Sequence, residues 1–186
     1  MSHSQEHQQE PSESSENDVE YLVNEGLPIV EEQLLEHGSF SPFAIVLLTS
    51  NEVQEVNLVK EDGDEVSGAE MLSLLTESLQ AAANETYRAL AIFVDVQIDV
   101  PVESEGGESA EEGKGTKESD AVQVGVEHAS GYTMNIFFPY SQKENAIDFG
   151  EYFGGERQAE VLTSSAGANS STGNHAGSEG SDAGDE

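Results

Sequence analysis

Glu127 and His128 stand side by side in "AVQVGVEHASGYTMNIFFPY", residues 121–140, and a carboxylate next to an imidazole supplies the residue types of a general acid and base. Alternation decides against a local pair. Val122, Val124, Val126 and His128 share one face of a strand, and Gln123, Gly125 and Glu127 share the other, because neighbouring strand residues point to opposite sides. His128, in line with the valines at the strand end, reads as a rim or core histidine with one hydrogen-bond partner. Asp95 and Asp99 form the other candidate pair. Their spacing along a strand puts them roughly 13 Å apart, too far for one ion or a catalytic dyad.

Other chemistry is bounded by what the sequence lacks. There is no cysteine, so thiol chemistry, disulfides and Cys-ligated metals are excluded. Ser and Thr are the remaining nucleophiles, and no Gly-x-Ser-x-Gly elbow occurs. Walker A, Gly-x-Gly-x-x-Gly and His-Glu-x-x-His patterns are absent too. The glycines of "FGEYFGGER" have no strand–turn–helix context for a phosphate loop, and "EDGDEVSG" lacks the spaced ligands of a calcium loop. Of five histidines, only His37 and His128 fall in the expected folded region. No catalytic residue, metal ligand set or cofactor is assigned.

The elements that would position these residues follow from periodicity. Val19, Leu22, Val23, Leu27, Val30 and Leu34 recur at helical steps. Asn17 or Asp18 can cap that helix, Pro28 should kink or split it, and Gly38 should stop it after His37. "PFAIVLLT" and "EVQEVNLVK" read as strands around a Ser50-Asn51 turn. Ser67 and Glu70 have capping-box spacing before a helix with Leu72, Leu75, Leu79 and Ala82 on its buried stripe and Met71 beside it. "TYRALAIFVDVQIDV" alternates strictly, with Leu90, Ile92, Val94, Val96, Ile98 and Val100 opposite Ala89, Ala91, Phe93, Asp95, Gln97 and Asp99. Residues 121–140 read as a hairpin turning at Ser130-Gly131, with Pro139 ending the pairing or marking an edge.

These elements predict an α+β fold: a mainly antiparallel five-stranded sheet with two helices on one face. Profilin-like and roadblock-like domains share this element order. The expected organisation is a disordered tail at 1–17, one domain at 18–162 with a flexible acidic insertion at 103–120, and a disordered Gly/Ser-rich tail at 163–186. No secretory signal or membrane span is expected, so the reading is cytoplasmic.

The chain has 38 Asp and Glu against 6 Lys and Arg, a formal net charge of −32. The excess is not confined to the tails. Val19 to Leu162, without the loop 102–120, holds 22 acidic residues and only Lys60, Arg88, Lys143 and Arg157 as bases. Such a surface repels itself at low salt, and at ~1 M salt the screening length shrinks to about 3 Å. The composition resembles that of proteins from halophiles with a salty cytoplasm. Direct nucleic-acid binding is disfavoured, since no basic cluster exists to neutralise phosphates.

Two short motifs carry a resemblance. Gly38, Phe40, Pro42 and Phe43 form a Gly-x-Phe-x-Pro-Phe pattern. Asp120, Ala121, Glu127, His128, Pro139 and Tyr140 fit a pattern of Asp-Ala-Ile-x-Val-x-x-Glu-His followed by Pro-Tyr. Over roughly 19–162 the chain is similar to a group of small bacterial α+β proteins described as uncharacterised. That resemblance implies the fold and no activity.

The functional expectation is a non-enzymatic protein-interaction module adapted to high salt, a homodimer or bound to another protein. Its ligand or partner surface is expected at Phe93, Glu127, His128, Phe137, Phe138 and Tyr140. One alternative is a small-ligand sensor or enzyme with a site of Glu127, His128 and Tyr140 near the 121–140 hairpin. The other is an acidic nucleic-acid mimic.

Overall fold

The computed structural model describes residues 13–58, 66–83, 86–101 and 116–163. Its element order is α1 (Glu13–His37), β1 (Phe43–Leu48), β2 (Val53–Asn57), α2 (Gly68–Ala82), β3 (Tyr87–Pro101), β4 (Thr116–His128), β5 (Thr133–Lys143), β6 (Ala146–Phe149) and β7 (Phe153–Gly155). The fold is α+β, as the periodicity predicts, and every strand pair is antiparallel. The sheet has seven strands rather than five, in the order β2-β1-β3-β4-β5-β6, with β7 also paired to β5.

Alternation along β1, β3 and β4 gives the sheet two apolar faces. Phe43, Ile45, Leu47, Ala89, Ala91, Phe93, Val122, Val124 and Val126 form a core with Val19, Leu22, Val23, Val30 and Leu34 of α1. Ala44, Val46, Leu90 and Ile92 pack on the other side with Leu75 and Leu79 of α2 and with Val161. The helices therefore lie on opposite faces, which corrects the expectation of one. Both faces of β1 and β3 are apolar, and each needs its own cover.

α1 begins at Glu13, within the expected tail, and Ser15 is fully buried. Glu13 and Glu16 suit the positive end of the helix dipole. Asp18 lies inside the helix and is not its cap. The helix also runs on through Pro28. Buried Leu22, Val23 and Gly26 before the proline, and Val30 and Leu34 after it, hold both halves to the sheet, so tertiary packing outweighs the lost hydrogen bond. Gly26 allows the closest approach. A Cβ there would sit 2.1 Å from Cζ of Phe93. Phe93 stacks in turn on Phe43 at 4.8 Å between centroids. α1 ends at Gly38, whose φ of +74° suits glycine and whose N–H donates to Leu34 O.

α2 starts as its sequence predicts. Ser67 Oγ accepts from Glu70 N, and the Glu70 carboxylate accepts from Ser67 N, a contact that holds its pKa below the ordinary value. Met71, Leu75 and Leu79 are buried; Leu72 is half-buried and Ala82 is exposed.

β4 begins at Thr116, taking five residues from the expected insertion and pairing Thr116–Asp120 with Gln97–Pro101. The rest of that insertion, most of both tails and much of the "EDGDEVSG" turn lie outside the described residues. β5 pairs with β4 as far as Pro139, then continues to Lys143 against β6.

Candidate functional site

Glu127 is the most deeply placed charge among the described residues, with no exposed surface. It projects from β4 onto the α2 face, across from Leu90. Its carboxylate accepts from Nη2 of Arg157 at 3.0 Å and from the backbone N–H groups of Glu160 (2.8 Å), Val161 (2.9 Å) and Leu162 (2.7 Å). A buried carboxylate is tolerable only when paired and bonded in this way. Thr133 Oγ1 donates to Arg157 O, and Gln80 of α2 donates to Glu160 O. The strap of residues 156–162 is thereby clasped onto the sheet, with Val161 as its apolar anchor. Gly125 leaves the room for it: a Cβ there would lie 2.5 Å from Nη1 of Arg157.

His128 points the other way, toward α1, and is 8% exposed. Its Nδ1 accepts from Ser130 N at 3.0 Å and lies 2.8 Å from Ser130 Oγ. Nδ1 is thus the acceptor, which leaves Nε2 to donate to Asp18 Oδ2 at 3.2 Å. The other Asp18 oxygen accepts from Arg88 Nη2 at 2.8 Å. Ser130, His128 and Asp18 match a hydrolase triad in composition, but not in setting. Ala129 N–H bonds Arg88 O, Ser130 N–H bonds the imidazole and Gly131 N–H bonds His128 O, so the three backbone donors around the serine are already engaged rather than gathered for an oxyanion. Arg88 also neutralises the aspartate that would orient the base. The cluster fastens the hairpin end to α1.

Tyr140 belongs to a third network. Its hydroxyl donates to Asp95 Oδ1 at 3.0 Å. Burial first, then the bond to Asp95 and the negative charges of Asp95 and Asp120, push the phenol far above its usual range. Asp95 is raised by desolvation, against the Tyr140 hydroxyl that favours its charge, with Asp120 adding to the rise and the Phe40 N–H opposing it. Glu127, His128 and Tyr140 do not converge on one site.

The expected aromatic surface divides. Phe93 is fully buried beneath Gly26 and is a core residue, which corrects its place on a partner surface; Glu127, equally enclosed, presents none either. Tyr140 is buried against Phe149. Phe137 is half-buried on the α2 face and stacks on Phe153. Phe138 remains on the α1 face, half-buried, tilted against Tyr152 at 5.5 Å between centroids.

Phe138 leads to the concave feature of that face. α1 packs across β1, β3 and β4, and only its C-terminal end is bonded to β5, where Gln142 donates to Leu34 O at 2.9 Å. Between them runs an open groove of about 380 Å³, lined on α1 by Glu16, Val19, Glu20, Val23, Asn24 and Leu27. Tyr132 just before β5, Ile136 and Phe138 of β5, and Tyr152, 69% exposed before β7, form the other wall. Its volume lies within the range of small-molecule and side-chain pockets.

β6, β7 and the strap were not legible in the sequence, because four- and three-residue strands carry little periodicity. One signal was present: the chain is so short of cations that each arginine stands out, and Arg88 pairs with the half-buried Asp18 and Arg157 with the buried Glu127. Among the described residues, no group of three or more His, Asp or Glu is placed to hold a metal ion, and no helix is long and apolar enough to cross a membrane. Comparison with protein-family models, curated proteins and solved structures found no match. The resemblance to small bacterial α+β proteins therefore rests on its motif residues.

Proposed function

We propose that the chain is a non-enzymatic protein-interaction module, adapted to concentrated salt, that receives its partner in the groove between α1 and β5. The groove itself carries the reading. It places Val19, Val23, Leu27, Ile136 and Phe138 around one open concavity, with the exposed ring of Tyr152 at its lip. Exposed aromatic rings beside half-buried apolar walls are the usual anchor points of interfaces. The polar groups best suited to catalysis are instead occupied in holding the fold: Glu127 on the strap, His128 on α1, Tyr140 on Asp95.

Site-specific photocrosslinking tests this. A benzophenone side chain in place of Tyr152 is expected to trap a protein adduct in cells. The same group in place of Tyr21, 47% exposed elsewhere on α1, is expected to trap none. Equal labelling at both positions, or no adduct at 152, would overturn the reading.

A further inference from the structure

We infer that the occupant of the α1/β5 groove is an amphipathic helix of another protein, with Lys or Arg along the flank that faces α1. The inference rests on the groove being a docking site and adds the chemistry of what docks there.

Secondary structure is the first selector. β5 has β4 along one edge and β6 and β7 along the other. An extended segment laid against β5 would find Asn135–Phe137 and Tyr140–Lys143 already paired along that edge, and its own N–H and C=O groups would be left unpaired against apolar walls. A helix satisfies its backbone internally and offers only side chains. The α1 wall, from Glu16 to Leu27, is about 18 Å long at 1.5 Å per residue, which seats roughly three helical turns.

Charge is the second. Glu16, Glu20 and Asn24 recur at i, i+4 and i+8, one row along the α1 lip. Glu16 is close enough to Tyr132 for its charge to help raise that phenol, behind the larger effect of burial. Apolar anchors flanked by cations complement a row of carboxylates beside an apolar floor.

This chain does not supply such a segment. Residues 1–12 and 164–186 hold no large aliphatic or aromatic residue beyond Met1 and no Lys or Arg, and 59–65 and 102–115 each hold one valine and one lysine, too few for an apolar face. Among its six bases, Arg88 and Arg157 are bonded to Asp18 and Glu127. A second copy would bring a further −32 of formal charge to an acidic lip.

The test uses the full chain at the lowest KCl concentration that keeps it folded. Two stapled helical peptides of about 14 residues, roughly four turns, share one apolar face and carry either Lys or Glu on its flanks. Calorimetry gives affinity, and methyl NMR of Val19, Val23, Leu27 and Ile136 reports the site. The Lys peptide is expected to bind about tenfold more tightly and to shift those methyls, as paired charges along a rim select partners. Glu16→Lys with Glu20→Lys, both exposed positions, is expected to reverse the preference. If both peptides bind the groove equally, or the charge reversal changes nothing, the cationic inference falls and the docking reading stands. If neither peptide moves the groove methyls, both fall. Groove shifts that follow protein concentration alone would identify a second copy as the occupant and overturn the inference.

Discussion

A glutamine at position 127 would keep the shape of the glutamate and spoil its role. Four donors converge on the carboxylate, and an amide would turn its NH2 toward N–H groups. Glu127→Gln is expected to destabilise the fold by about 2–4 kcal/mol, within the range for breaking a buried, bonded charge, and to make the 156–162 strap sensitive to protease. A melting curve unchanged from the parent would contradict this. Tyr140 gives a pH signature. Its folded pKa is raised, so its contribution is whole below the ordinary tyrosine value of 10.0 and is lost as pH climbs above it. Melting temperature is expected to fall above that pH, and more gently in Tyr140→Phe. At this scale, alternation told correctly that Glu127 and His128 face apart, because the period of two is a local property. Their partners lie 35 and 110 residues away, at Leu162 and Asp18, and nothing in the local sequence points to them.

The elements were legible in proportion to their length. β3, with strict alternation, and α2, with a capping box, run as the sequence predicts. α1 was harder, because Pro28 is a local signal that packing overrides. Pro28→Ala restores a hydrogen bond at an exposed position and is expected to stabilise by about 1–3 kcal/mol. A lower midpoint in chemical denaturation would show that the proline instead sets a curvature the sheet requires. The assignment of both helices to one face failed for a related reason. Connection order does not say which side a helix takes when β1 and β3 are apolar on both. Residues of the two short sequence motifs hold the fold: Gly38 ends α1, Phe40 and Phe43 form an edge-to-face pair, Glu127 holds the strap, His128 holds α1 and Tyr140 engages Asp95.

For the molecule as a whole, charge is the dominant fact. With −32 spread over tails and domain alike, melting temperature is expected to rise as KCl goes from about 0.1 to 3 M, steeply at first while the screening length shortens. A flat profile would separate the acidity from salt adaptation and leave it to partner choice. The groove was legible only in its parts. Phe138 stood out as a strand aromatic, but its place beside α1 depends on how far across the sheet the helix reaches, which is a property of the assembled layers.

Adjacent residues on β4 thus fasten the first described helix to one face and the last described segment to the other. During synthesis, α1 leaves the ribosome with its apolar stripe complete but lacks the His128 that Asp18 will bond. That interval is 110 residues, roughly 5–20 s at ordinary translation rates. On the second face α2 is made early, but the strap's share of the cover waits until Leu162 has followed Glu127 out. A nascent chain that carries bare apolar surface for so long is a candidate for aggregation, and its early-made acidic residues keep neighbouring copies apart while it waits.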